Sequence, residues 1–154
     1  MNPLKLILLF GILLISAIRC RKDTDIGERL NLGESFFIKS QETKIISFAE
    51  NGDSAIKVQF KGVISDSRCP LSACSQCYGS KATILVFIKS QKDTATLSLD
   101  IPGCIEELTA NEDSYFRKDT LGYRFYLLKL DPYPTGKAAH YSSYRSKIQI
   151  TKLF

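Results

Sequence analysis

Residues 55–65 read AIKVQFKGVIS and residues 81–90 read KATILVFIKS. In the first stretch Ile56, Val58 and Phe60 alternate with Lys57, Gln59 and Lys61. Successive side chains of a strand point to opposite faces, so the alternation predicts a strand with one dry face and one wet face. Gly62 interrupts the pattern and predicts a bulge. The second stretch is apolar on both faces and β-branched at several positions. That predicts a strand in the interior of a sheet.

The same period of two runs outward in both directions. SFFIKS (35–40) and TKIISFAE (43–50) are short strand candidates, and Asn51-Gly52 is a hairpin turn signal because both residues tolerate positive φ. TATLSLDI (94–101), GYRFYLLKL (122–130) and SKIQITKL (146–153) complete the set. Pro132 and Pro134 in DPYP cannot donate to a ladder, so the chain must leave the sheet there. CIEELTANEDSYF (104–116) is the one segment with a possible short helix. The expectation is an all-β fold, an antiparallel immunoglobulin-like β-sandwich of about seven strands. The Trp that marks immunoglobulin domains is missing, since the chain has none.

The chain opens MNPLKLILLFGILLISAIRC. Lys5 precedes an apolar run from Leu6 to Ile15 broken only by Gly11, and the small residues Ser16 and Ala17 follow. This is the layout of a secretory signal, and the run is shorter than the roughly 20 residues of a membrane-spanning helix. Cys20, where the run ends, resembles the acylated cysteine of bacterial lipoproteins. The resemblance implies a signal peptide over 1–19 and a lipid-anchored tether over 20–30, and the strand pattern puts the β-sandwich domain over 31–154. An odd cysteine count in an exported chain also asks for a separate role for one thiol.

Charge excludes one class of partner. The formal net charge is +5. Two of the 21 basic residues, Lys5 and Arg19, and none of the 16 acidic ones lie in the leader, which leaves +3 for the mature chain. No basic run exceeds the pairs Arg21-Lys22 and Arg117-Lys118. Scattered cations of this kind are a solvated surface rather than a nucleic-acid footprint.

Four cysteines remain after Cys20. Cys69, Cys74 and Cys77 fall in SRCPLSACSQCYG, and Cys104 follows later. The C-x4-C-x2-C…C spacing resembles the cluster loop of plant-type ferredoxins, which would make Cys69, Cys74, Cys77 and Cys104 ligands of a [2Fe-2S] cluster in an exported electron carrier. A zinc site could use the same thiolates, but its usual second close pair is absent. Disulfides fit an oxidising compartment, and four cysteines allow three pairings.

A second resemblance bears on that choice. VISDSRCP, CYGSKATI, the upstream LGESFFI and the downstream LLKLDPYP are similar to an uncharacterised family of small lipoproteins of the Bacteroidota. Asp66, Ser67, Arg68, Cys69 and Pro70 match its first motif, and Cys77, Tyr78, Gly79 and Ala82 its second. The resemblance implies a Cys69–Cys77 bridge, with Cys74 and Cys104 left to pair with each other. It implies architecture and location but no chemistry. Asp66 and Arg68 end a strand, where Arg68 can bond loop carbonyls and Asp66 can accept loop amides. The functional alternative makes the two a binding site.

Catalytic signals are thin. The single histidine, His140, lies near Ser142 and Ser143, but no G-x-S-x-G elbow accompanies them. Glu106-Glu107 and Glu112-Asp113 lack the spacing of a calcium loop. No phosphate-cradling glycine motif occurs. Tyrosine is skewed: Tyr115, Tyr123, Tyr126, Tyr133, Tyr141 and Tyr144 all lie in the last third of the chain. Tyrosines on loops make rigid amphipathic contacts, and tyrosines on strands line half-buried rims.

The expectation is therefore an exported, lipid-anchored protein of the cell envelope, on the periplasmic face or the cell surface, with a non-catalytic binding or structural role. No cofactor, metal or nucleic acid is expected. Its membrane contact would be the anchor on Cys20. Asp66, Arg68, Tyr133, Tyr141 and Tyr144 are the candidate surface for a protein or glycan.

Overall fold

The computed structural model describes residues 30–47, 55–76, 79–110, 116–134 and 143–153. The leader, Cys20, the tether up to residue 29, the Asn51-Gly52 turn, Cys77, His140 and Tyr141 lie outside them. Eight strands are described: β1 (Ser35–Lys39), β2 (Thr43–Ser47), β3 (Ala55–Asp66), β4 (Lys81–Lys89), β5 (Thr94–Pro102), β6 (Arg117–Thr120), β7 (Tyr123–Asp131) and β8 (Arg145–Lys152). They form two antiparallel sheets, ordered β2-β3-β4-β5 and β1-β8-β7-β6.

The alternation read from the sequence decides which side of each strand is dry. Ile56, Val58 and Phe60 of β3 and Ala82, Ile84, Val86 and Ile88 of β4 turn inward. Phe125, Leu127 and Leu130 of β7 and Ile148 and Ile150 of β8 meet them from the other sheet, and all belong to one buried cluster. Full burial of an aliphatic or aromatic side chain of this size stabilises by roughly 1.5–3 kcal/mol, so the two inner faces drive the stacking. Leu30 and Leu32 pack against the same cluster, so the folded domain begins by Leu30.

The sandwich is antiparallel, as the immunoglobulin-like reading requires, with one strand more than expected. Its strand order is a meander closed on itself. Every hydrogen-bonded neighbour is a sequence neighbour, except that β8 returns to β1. Immunoglobulin domains instead use Greek-key connections. The chain first changes sheet at the turn between β1 and β2. There Gln41 has φ +67°, Ser40 N donates to Tyr144 O at 2.8 Å and Gln41 N donates to Phe60 O at 2.7 Å. The second change of sheet lies between β5 and β6, where Leu108 N donates to Leu128 O at 2.7 Å.

Three details differ from the sequence reading. Residues 104–110 form turns and extended chain, not the start of a helix. A 3-10 turn, Leu71–Gln76, lies inside the cysteine loop. β6, with the sequence RKDT, is an edge strand without apolar alternation, so periodicity gives it no signal. The bulge expected at Gly62 is present: the register with β4 shifts between Phe60 and Gly62, and again between Val63 and Ser65. β4 lies inside its sheet, but the outer side chains Leu85 and Phe87 are only half-buried.

Candidate functional site

β3 ends at Asp66, and the chain then makes the cysteine loop before entering β4. Ser67 closes the base of this loop. Its amide and hydroxyl both donate to Lys81 O at 2.9 Å, and its oxygen accepts from Lys81 N at 3.1 Å. This leaves Arg68 turned inward, with a side chain that is wholly buried.

A guanidinium can be taken from water only if its donors are satisfied. Arg68 Nε donates to Asp66 Oδ1 at 2.9 Å and Nη2 to Asp66 Oδ2 at 2.8 Å, a bidentate pair. Nη1 donates to Leu130 O at 2.7 Å, and Nη2 also donates to Pro132 O at 3.1 Å. Asp66 Oδ1 accepts the Arg68 amide at 3.2 Å, and Oδ2 accepts the Tyr144 hydroxyl at 3.1 Å. The Tyr133 ring lies beneath the guanidinium, 5.1 Å from ring centroid to Cζ. One ion pair at the end of β3 thus holds the end of β7, the DPYP turn and the residue that precedes β8. These elements belong to the opposite sheet, so the pair ties the two sheets together.

The disulfide continues the same structure. Cys74, in the 3-10 turn, is bonded to Cys104, just beyond β5, with their Cα atoms 5.4 Å apart. The Cys104 amide donates to the Tyr133 hydroxyl at 2.9 Å, so the bridge and the Arg68 cluster share Tyr133. Gly103 N donates to Ser80 O at 2.6 Å. A Cβ on Gly103 would stand 2.9 Å from that carbonyl and overlap the Ser80 hydroxyl, so the close approach requires glycine. Cys69 is also disulfide-bonded, and its partner lies outside the described residues. Bridging and cluster ligation are exclusive uses of a cysteine, and Cys74 and Cys104 are bridged. Among the described residues no three His, Cys, Asp or Glu side chains converge to hold a metal ion.

Of the five candidate binding residues, four come together: Asp66, Arg68, Tyr133 and Tyr144. They do so largely below the surface rather than on it, with Arg68 at 4% exposure and Tyr144 at 7%. Tyr141 lies outside the described residues. What the buried cluster supports is a groove of about 460 Å³ lined by Lys39, Asp131, Pro132, Ser143, Tyr144 and Arg145. Lys39 and Arg145 lie in no motif, and the DPYP motif that begins with Asp131 gave no sign of a groove. Only the pairing of β8 with β1 and β7 brings them side by side.

The groove is cationic, since Lys39 and Arg145 line it against the single carboxylate of Asp131. Arg145 Nη2 lies 3.3 Å from Asp131 Oδ2, and Lys129 Nζ lies 3.6 Å from Asp131 Oδ1. Arg145 also covers the half-exposed Phe37 ring, 4.3 Å from its centroid. Further along the same sheet, Lys147 pairs with Glu107 at 2.5 Å and Arg124 with Asp119 at 2.9 Å. The Arg124 hydrogen bond holds the Asp119 carboxyl below the usual carboxylate range, and Asp119 in turn raises the Arg124 guanidinium. Two hydrogen bonds from Asn31 lower Glu34 in the same way. In Asp66 both oxygens are occupied by fixed donors. Such a carboxylate positions neighbours and is poorly placed to take a proton from a substrate.

Compared with known proteins, the chain matches no family model, no curated protein and no solved structure.

Proposed function

We propose that this chain is an exported cell-envelope protein, anchored through a lipid on Cys20, whose β-sandwich has a non-catalytic binding or structural role. The Cys74–Cys104 bridge carries the reading. Structural disulfides persist where thiols oxidise, and a bridge just behind a secretory-type leader is consistent with that compartment. The similarity to small lipoproteins of the Bacteroidota supports the same location. The Arg68 cluster supports a structural role for the cysteine loop, because it engages the carboxylate and the guanidinium with each other and with main-chain carbonyls. The groove beside Tyr144 is the proposed place for a protein or glycan contact.

Two measurements on protein isolated from its own envelope test this. Mass spectrometry of the mature N-terminus is expected to find a diacylglyceryl or triacyl group on Cys20; an unmodified Cys20 rejects the anchor. A thiol count under denaturing conditions is expected to find none free among Cys69, Cys74, Cys77 and Cys104. A red-brown protein with iron and acid-labile sulfide would replace this reading with the electron carrier.

A further inference from the structure

The two sheets end in four edge strands, β2 and β5 of one and β1 and β6 of the other. An edge offers unpaired main-chain groups to any other strand, and natural sheets blunt it with shortness, charge, proline or a bulge. Among the described residues three of the four edges are blunted. β1 and β2 have five residues each and carry Lys39 and Lys44. β6 has four, of which Arg117, Lys118 and Asp119 are charged. By contrast β5 runs for nine residues, TATLSLDIP, without lysine or arginine, and its one proline is the last residue. Its register with β4 is unbroken from Thr94 to Pro102.

Two hydrogen bonds fix which way the main chain of β5 points. Ser90 N donates to Asp93 O at 2.8 Å at one end of the β4–β5 pair, and Gly103 N donates to Ser80 O at 2.6 Å at the other. Bonded and non-bonded pairs alternate along an antiparallel ladder. Both bonds give the same parity. Ala95, Leu97, Leu99 and Ile101 bond to β4, while Thr94, Thr96, Ser98 and Asp100 turn their N–H and C=O groups away from it. Among the described residues no main-chain bond outside the ladder engages these four. On the inner face Leu99 and Ile101 are fully buried, but Leu97 packs against the core only half-buried.

We infer that β5 pairs antiparallel with β5 of a second copy, joining two four-stranded sheets across a two-fold axis. The strand is complementary to itself. With the axis at Leu97, Thr96 exchanges both main-chain bonds with Ser98 of the second copy, and Thr94 does so with Asp100 of the second copy. Every outward N–H and C=O of both strands is then used. Shifting the axis by one residue sets Thr94 opposite Pro102, which has no N–H, or Asp100 opposite Lys92 in the turn, outside the strand. At the axis Leu97 meets Leu97 of the second copy, which completes the burial that the edge leaves half done. Lys92, two residues before β5, approaches Asp100 of the second copy, an opposite charge. The contact is isologous, so it closes after two copies. Any extended peptide could add to an edge, but only a second copy supplies this register and this leucine together.

The test uses the full chain in mild detergent, with native mass spectrometry counting copies per particle. The parent is expected to be dimeric. Thr96→Lys with Ser98→Lys puts lysine opposite lysine at both central pairs and should leave only monomer. Thr96→Glu with Ser98→Glu should do the same. An equimolar mixture of the two variants should restore a one-to-one heterodimer, because each lysine then faces a glutamate. The leader and any lipid on Cys20 are common to all samples, so association through them is indifferent to these charges. Both positions are exposed, so the monomers should keep their fold, read as an unchanged circular dichroism spectrum. Hydrogen exchange on the parent needs no variant and decides alone if the variants unfold. Dilution below the dissociation constant should speed the amides of Thr94, Thr96, Ser98 and Asp100 roughly fivefold or more, the equivalent of one net hydrogen bond. The amides of Ala95, Leu97 and Leu99 should not change. A monomeric parent, folded variants that stay dimeric, a mixture that stays monomeric, uniform exchange along β5, or a foreign chain in place of the second copy would each overturn the inference.

Discussion

Arg68 grips both oxygens of Asp66, at 2.9 and 2.8 Å, while its remaining terminal nitrogen reaches Leu130 O at 2.7 Å across 62 residues of sequence. The two residues are neighbours in the chain, yet they join the two sheets. Removing only the cation would leave Asp66 buried and unpaired. Arg68→Met is therefore expected to destabilise by roughly 3–5 kcal/mol in chemical denaturation. The double variant with Asp66→Asn should recover part of that loss. A cost below about 1 kcal/mol in the single variant would mean that the pair is not what holds the sheets.

The Cys74–Cys104 bridge closes a loop with a sequence separation of 30. In the chain-entropy treatment a loop of that length stabilises by roughly 3–4 kcal/mol. Cys104→Ser should lower Tm accordingly under oxidising conditions. The same variant should differ much less from the parent once both are reduced. An unchanged Tm in the oxidised proteins would contradict a structural bridge.

Lys57 and Lys89 face each other without a carboxylate between them. Exchanging one sign converts a repulsive cross-strand pair into an attractive one. Lys89→Glu should raise stability by about 0.5–1 kcal/mol, seen as an upward shift of the denaturation midpoint. An unchanged midpoint would show that these lysines are ordinary solvated surface.

Asp119 has its carboxyl lowered by the Arg124 hydrogen bond. A depressed acid contributes stability that is present above its unfolded pKa and lost as pH falls through the folded value. Its side chain is 39% exposed, so solvent screening reduces the effect to tenths of a kcal/mol. Carboxyl NMR should place the Asp119 midpoint below that of an ordinary aspartate, and Arg124→Gln should move it back up. A midpoint indifferent to Arg124 would show that the pair does not persist in solution.

The local parts of this fold were readable in advance. Alternation in AIKVQFKGVIS and the β-branched apolar run in KATILVFIKS placed β3 and β4 almost to the residue, and the alternation gave the dry face of β3, because strand periodicity is a property of a few consecutive residues. Gly62 marked the bulge for the same reason. Arg117–Thr120 was not readable, since a polar edge strand exists only because β7 offers it a partner. Of the segment 104–116 with its possible short helix, residues 104–110 make turns in the crossing between sheets, and residues 111–115 lie outside the described residues.

The candidate site divides along the same line. The sequence by itself determined that β3 has one dry face, that Asp66 and Arg68 lie together at a strand end, and that three cysteines crowd one loop. Only the tertiary structure decided that Arg68 meets Leu130 and Pro132, and that Tyr144 reaches Asp66 across 78 residues. It also decided that Arg145 and Lys129 share the carboxylate of Asp131. Hydrophobic alternation is enforced locally by burial, whereas which distant polar groups meet depends on strand order and register, and many orders would satisfy the same alternation.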